Sequence, residues 1–356
     1  MRPLIRAEIS AAALRSNLAR VRALAPRSRV MAVVKANAYG HGAVAVAQTL
    51  SDADAFGVAR IEEAVALRAA GIQRPILLME GVVRAEQLAE AARHGLQLVV
   101  HEPGQLALLE SAPAGQRFVV WLKFDSGMNR LGFRAPEFEA ALLRLTALGG
   151  RIAEVRLMTH FAAADEPDGG HEQLARFAQL AAGRGNLRSL ANSAAVFALP
   201  ASHADWVRPG LALYGVSPFA DRDGAALGLV PAMRLVSTVI ALREVPAGEA
   251  VGYGATWRAR HDTRVAILAA GYADGLMRSL PSGTPVLVNG VRAGLLGRVS
   301  MDMIAVDVTQ VPDVHVGGDA VLWGPELPVE EIASRAGTNG YELLCAVSAR
   351  VSLVLA

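Results

Sequence analysis

A lysine closes the apolar run Val30-Met31-Ala32-Val33-Val34-Lys35, and Ala36-Asn37-Ala38-Tyr39-Gly40-His41-Gly42 follows at once. An unbroken apolar run reads as a strand buried on both faces of a parallel sheet. An ammonium group there is costly unless it is paired or loses its proton. A lysine with a lowered pKa can attack a carbonyl, which is what Schiff-base chemistry requires. The plainer alternative is a lysine whose stem carries the charge out to water. From this feature alone both readings stand. Two turns, Asn192-Ser193 and Arg208-Pro209-Gly210-Leu211, add a candidate anion site. Loops after the last two strands of a parallel barrel often bind phosphate through backbone N–H groups. A phosphorylated aldehyde would satisfy the lysine and the turns together.

Those residues need a scaffold. Candidate strands are Val30–Lys35, Ala55–Ala59, Pro75–Met79, Leu96–Val100, Phe118–Phe124, Val155–His160, Leu187–Ala191 and Leu211–Tyr214. Stretches with helical spacing lie between them, such as Ile61–Ala70 and Ala85–Arg93, with Gly71 and Gly95 placed to end helices. Strands separated by helical crossovers make a parallel sheet, so the class is α/β and the expected form a closed (β/α)8 TIM-type barrel. A doubly wound open sheet is the alternative, although no Gly-x-Gly-x-x-Gly follows an early strand. From about Pro231 the texture changes. Met233–Glu244, Val265–Ala270, Thr284–Val288, Val291–Leu296, Met303–Val308 and Ala320–Trp323 read as strands, with an Asn289-Gly290 hairpin turn and one helix near Val329–Ala336. The expected division is therefore 1–231, a barrel, and 232–356, a mainly antiparallel β domain.

A chain of 356 residues is long enough for two such units. Its formal net charge of +2 and the lack of a basic run give no case for a nucleic-acid partner. The single cysteine, Cys345, excludes an internal disulfide framework and a Cys-x-x-Cys zinc site; it reads as a small buried residue. No metal is expected. The start, Met1-Arg2-Pro3-Leu4-Ile5-Arg6, lacks a secretory apolar core, and no stretch is long and apolar enough to span a membrane. A cytoplasmic protein is the expectation.

The run Ala32–Gly42 resembles the pyridoxal-phosphate (PLP) lysine signature of the alanine racemases. Trp121–Gly132, Arg208–Gly215, Val251–Thr256, Gly271–Gly275 and Gly297–Met303 resemble five further motifs of that family, in its order and across the whole chain. The resemblance implies an isomerase that interconverts L- and D-alanine with PLP, supplying D-alanine for peptidoglycan or serving alanine breakdown. It also implies a homodimer. By that resemblance Lys35 holds PLP and then works as one base at the substrate Cα. Tyr253 is the opposite base, contributed to the partner's site. Arg208 meets the pyridine nitrogen, and His160 stands nearby. Tyr39, Ser193, Gly210, Leu211 and Tyr214 belong to the cofactor's surroundings. Arg130 and the Met301 backbone face the substrate carboxylate. Lys123 matches a position that some relatives carbamylate beside that arginine; its other reading is a strand-end lysine paired with Asp125. Tyr272 and Asp302 sit at the mouth of the partner's site.

Other residues read as structural: His41 as a turn closer, Asp274 as a cap, and Trp206, Trp257 and Trp323 as core or interface. Two positions depart from some relatives. Ala349 replaces a tyrosine, which opens the choice between alanine and serine, and Ser189 replaces a histidine that braces the pyridine-contacting arginine. The competing readings are a broader alanine/serine racemase, a decarboxylase on a similar barrel, and a PLP carrier without catalysis. The match to racemase motifs in both domains, including Tyr253, disfavours the decarboxylase, and the presence of Tyr253, Arg130 and a second domain disfavours the carrier.

Overall fold

The computed structural model describes residues 2–356. The first strand, β1 (Ile5–Ile9), leads into the helix Ala11–Leu24. Ser10 caps that helix by accepting the Ala13 N–H, and Leu14, Leu18 and Val21 recur on its buried face. Eight parallel strands then close a barrel: β2 (Arg29–Val33), β3 (Ala55–Val58), β4 (Ile76–Leu78), β5 (Gln97–Val100), β6 (Phe118–Lys123), β7 (Ile152–Met158), β8 (Arg188–Ser189) and β9 (Trp206–Val207). Helices between them cover the outside, so most barrel strands are buried on both faces, as their unbroken apolar runs require. Met31, Leu77, Val99, Trp121, Met158 and Trp206 plug the interior, with the Arg156 guanidinium over both indoles.

The strand expected at Leu211–Tyr214 is a 3₁₀ turn instead. Barrel closure comes earlier in the chain, where Trp206 pairs with Arg29 and Val207 with Val30. Pro209 and Gly210 then break the extended path, and an apolar run of four residues does not by itself separate strand from tight helix. The lysine also lies beyond its strand, because β2 ends at Val33.

The second unit is built on the long β10 (Met233–Val245). The short pair β11 (Ala250–Val251) and β12 (Trp257–Arg258) projects from it. β13 (Thr263–Leu268), β14 (Pro285–Val288), β15 (Val291–Leu296), β16 (Ile304–Asp307) and β17 (Asp319–Trp323) complete the antiparallel part, and β18 (Ser352–Leu355) is its edge. The strand β1 lies in this sheet, between β10 and β18, although the expected division counts it with the barrel. Its inward residues Ile5, Ala7 and Ile9 find an apolar face there, and the chain enters the barrel already anchored to its second unit. Cys345, read as buried, is exposed on the helix Gly340–Ala346.

Candidate active site

After β2 the backbone does something costly. Ala36, Asn37, Ala38 and Tyr39 all have φ between 52° and 54°, a left-handed helical turn that ends at Gly40. For residues with a Cβ this costs roughly 1–2 kcal/mol each, so the surroundings must over-determine it. Asn37 Oδ1 accepts the Ala43 N–H (2.9 Å), and His41 Nδ1 bonds the carbonyls of Tyr39 (2.8 Å) and Ala38 (3.1 Å). His41 is thus the turn closer, its pKa pulled down to about 4 by burial, hence neutral. A Cβ on Gly40 would lie 2.1 Å from the Leu344 carbonyl, so the second unit is pressed against this turn.

The turn delivers Lys35 to a cavity of about 400 Å³ shared with Lys123, Arg130, His160 and Arg208. Lys35 and Lys123 are the two lysines of the whole chain. Among the described residues, none of the four cations is paired with a carboxylate within 4 Å; the Lys123–Asp125 pair weighed above is not formed. Burial, with the charges of Arg208 and Arg130, pushes the Lys123 amine down to about 8. Burial and the same cations hold His160 well below the usual histidine range, so it is neutral.

Arg208 is 2% exposed. It donates to Ser189 Oγ (2.6 Å), the Thr159 carbonyl (2.6 Å) and the Leu190 carbonyl (3.2 Å), and lies 3.4 Å from His160 Nδ1. Ser189 therefore braces Arg208. Burial lowers Arg208 to about 10, still protonated at neutral pH. Its Nε is buried with no hydrogen-bond partner, an unsatisfied donor on a residue that lines the cavity.

The turn that follows Arg208 forms a small cradle. Ser193 Oγ accepts the N–H groups of Gly210 (2.9 Å) and Ala212 (3.3 Å), and a Cβ on Gly210 would fall 2.4 Å from Tyr39 Oη. Burial raises the Tyr39 pKa, so its hydroxyl is a donor. Leu211 opens the 3₁₀ turn beside Gly210. Tyr214 stands behind Tyr39, ring centroids 4.9 Å apart, and spends its hydroxyl on the Val33 carbonyl (2.9 Å). A cation with an unpartnered donor, a serine and glycine turn that directly follows it in the chain, and two amines in the cavity are a donor set that fits a phosphorylated aldehyde.

Tyr253, Tyr272, Met301 and Asp302 do not line this cavity. They belong to one outward face of the second unit, where Tyr253 is 71% and Met301 53% exposed. The loops pack closely: a Cβ on Gly271 would meet the Met301 carbonyl at 2.2 Å, and one on Gly297 the Val251 carbonyl at 2.7 Å. Asp274 accepts the Gly271 N–H (2.9 Å) as a cap, and Arg350 reaches Asp302 (2.7 Å) and Asp274 (3.4 Å).

Residues 9–218 match the alanine racemase N-terminal domain, and residues 232–355 match the alanine racemase C-terminal domain. The chain belongs to the alanine racemase family. It is 52% identical to the alanine racemase of Shewanella amazonensis and 51% identical to that of Shewanella loihica, each covered fully in both chains. The solved biosynthetic alanine racemase of Pseudomonas aeruginosa superposes with a TM-score of 0.94 at 48% identity, over 99% of each chain. The Acinetobacter baumannii alanine racemase follows at 0.93 and 39%, with the same coverage. Three of the six motifs, Ala32–Gly42, Trp121–Gly132 and Arg208–Gly215, supply residues to one cavity, and the other three lie on the second unit. Sequence reasoning did not single out Glu63, Glu80 or His101. Glu80 and His101 line the cavity from the ends of neighbouring strands, whereas Glu63 bonds the turn after Lys35. The signal available for Glu63 was its place three residues after Arg60 at a helix start.

Proposed function

We propose that the chain racemises alanine with PLP held on Lys35, in a homodimer whose sites are each completed by Tyr253 of the partner subunit. The observation that carries this reading is Arg208, which lines the cavity that holds Lys35 and keeps a buried Nε with no hydrogen-bond partner. The two working units are residues 1–231, with the lysine and cradle, and 232–356, with Tyr253; the matched spans 9–218 and 232–355 support that division. No described helix is long and apolar enough to cross a membrane, and we place the enzyme in the cytoplasm.

PLP supplies an aldehyde that captures the substrate amine and a conjugated ring that spreads the charge left when the Cα proton departs. Tyr39, Ser193 and the backbone of Gly210 and Leu211 hold its phosphate. Arg208 would donate to its ring nitrogen; a guanidinium that keeps its proton would leave that nitrogen unprotonated and so limit the charge the ring stores. Arg130, oriented by Lys123 once that amine is carbamylated, binds the substrate carboxylate, with the Met301 backbone of the partner subunit. Racemisation removes a proton on one face of Cα and returns one on the other. Lys35 Nζ serves one face and the tyrosine Oη the other, as paired general acid and base. Tyr272 and Asp302 of the partner subunit frame the mouth.

The test is loss of optical rotation from L-alanine with purified holoenzyme, followed by subunit exchange. Lys35→Ala and Tyr253→Phe homodimers should each lose at least about 100-fold in kcat. Their mixture should regain up to one competent site per heterodimer. A mixture as inactive as its parents, with exchange verified, refutes the shared site. The serine rate in the same assay reports whether Ala349 widens substrate choice.

A further inference from the structure

Glu63 stands at the third position of the helix Ile61–Ala69, and its Oε2 accepts the Arg60 N–H at 3.0 Å. Capping that helix needs no more than this bond. Yet Oε2 also accepts the Ala59 N–H (2.9 Å), and Oε1 accepts the Ala36 N–H (2.7 Å). Ala36 directly follows Lys35 and opens the left-handed turn. Ala59 lines the same cavity as Lys35. One carboxylate therefore ties the loop after β2 to the loop after β3 at the cavity's rim.

The back of the strained turn is held by Gly40 against the Leu344 carbonyl and by His41 on the carbonyls of Ala38 and Tyr39. At the lysine's own end, Glu63 is, among the described residues, the one side chain that accepts an N–H from residues 35–38. A carboxylate accepting a backbone N–H makes one of the stronger hydrogen bonds available. We infer that Glu63 is a positioning residue for the racemase reaction: by holding the Ala36 N–H it sets the Cα–Cβ direction of Lys35 and the approach of its amine. The inference rests on the reading of Lys35 as the cofactor-bearing amine.

Glu63→Gln keeps size and helix preference, but its single oxygen can serve only one side of the bridge. Glu63→Asp keeps the charge one methylene short, and the neighbouring Glu62→Gln is the control. In Glu63→Gln, kcat for L-alanine should fall about 10- to 100-fold with KM within about twofold, the size expected for a misplaced catalytic group. In the apoprotein, amide exchange at residues 36–40 should quicken at least about tenfold while the helix core 64–69 stays protected. Amine labelling of Lys35 should change at least about threefold while that of Lys123 does not. Glu63→Asp should recover part of each effect. The proposal is overturned if kcat and Lys35 labelling stay within about twofold of wild type, or if exchange rises equally through 36–40 and 64–69, which would reduce Glu63 to a helix cap. Failure of the underlying reading shows separately: Lys35→Ala would then still racemise alanine, whatever Glu63 does.

Discussion

Lys35 and Lys123 make the same side chain do two things within one cavity, and the difference lies in what surrounds each amine. Lys123 is buried beside Arg208 and Arg130, which disfavours its charged form and holds it near 8. Below that pH the amine is protonated and inert, and above it neutral and nucleophilic. Acylation of the apoprotein in bicarbonate-free buffer should therefore label Lys123 with a midpoint near 8, and peptide mass spectrometry can follow it because the chain has two lysines. A midpoint near the ordinary lysine value of about 10.4 would mean that the cations do not act on it. Arg208 offers a second test. Arg208→Glu would let the ring nitrogen take a proton and store charge, so transamination should rise at least about tenfold relative to racemisation. Unchanged partitioning between the two products would contradict the role given to the arginine. The roles of Lys35, Arg130 and Arg208 were legible as motif positions. That of Ser189 was not, because a serine announces no partner until Arg208 is folded against it at 2.6 Å.

The left-handed turn shows how an element can depend on a distant one. Gly40 has φ +79° and the Leu344 carbonyl where a Cβ would go, whereas Gly71, at φ +83°, has nothing within 4 Å. Gly71→Ala should therefore cost about 1 kcal/mol of strain alone, and Gly40→Ala about 3 kcal/mol or more. Urea unfolding of the apoproteins measures both, and PLP affinity should weaken only in Gly40→Ala. Equal losses would mean that contact with the helix Gly340–Ala346 contributes nothing. The strands β2 to β7 were readable because buried parallel strands are apolar throughout. The eighth was misplaced because β9 is two residues long, while the more apolar Leu211–Tyr214 is a 3₁₀ turn feeding the cradle.

For the whole molecule the decisive fact is that Tyr253 is exposed on the second unit and does not line the Lys35 cavity of its own chain. If each site borrows its second base, catalysis should follow assembly while cofactor binding should not. On dilution through the dimer dissociation range, activity per protomer should fall in step with the sedimenting dimer fraction, and PLP should stay bound. Constant activity in a demonstrated monomer would exclude the borrowed tyrosine. The two units are nonetheless joined within a chain: β1 pairs with β10 and β18, and the Ala356 carbonyl accepts the Ala11 N–H at 2.9 Å. That fixes the second unit against the lysine turn of its own protomer.

Local sequence determined the α/β class, the change of texture near Pro231 and the chemistry-bearing residues, because periodicity, turn chemistry and motif spacing are properties of adjacent positions. The tertiary structure alone decided which of those residues meet. It set Lys35, Lys123, Arg130, His160 and Arg208 around one cavity, none of them ion-paired within 4 Å among the described residues although Glu80 also lines it, and it left Tyr253 exposed on the second unit. It also joined Glu63 to Ala36 across 27 residues and Gly40 to Leu344 across the two units. Such contacts depend on the closure of the barrel and the docking of the second sheet, and no pattern along the chain encodes a distance between segments that only folding brings together.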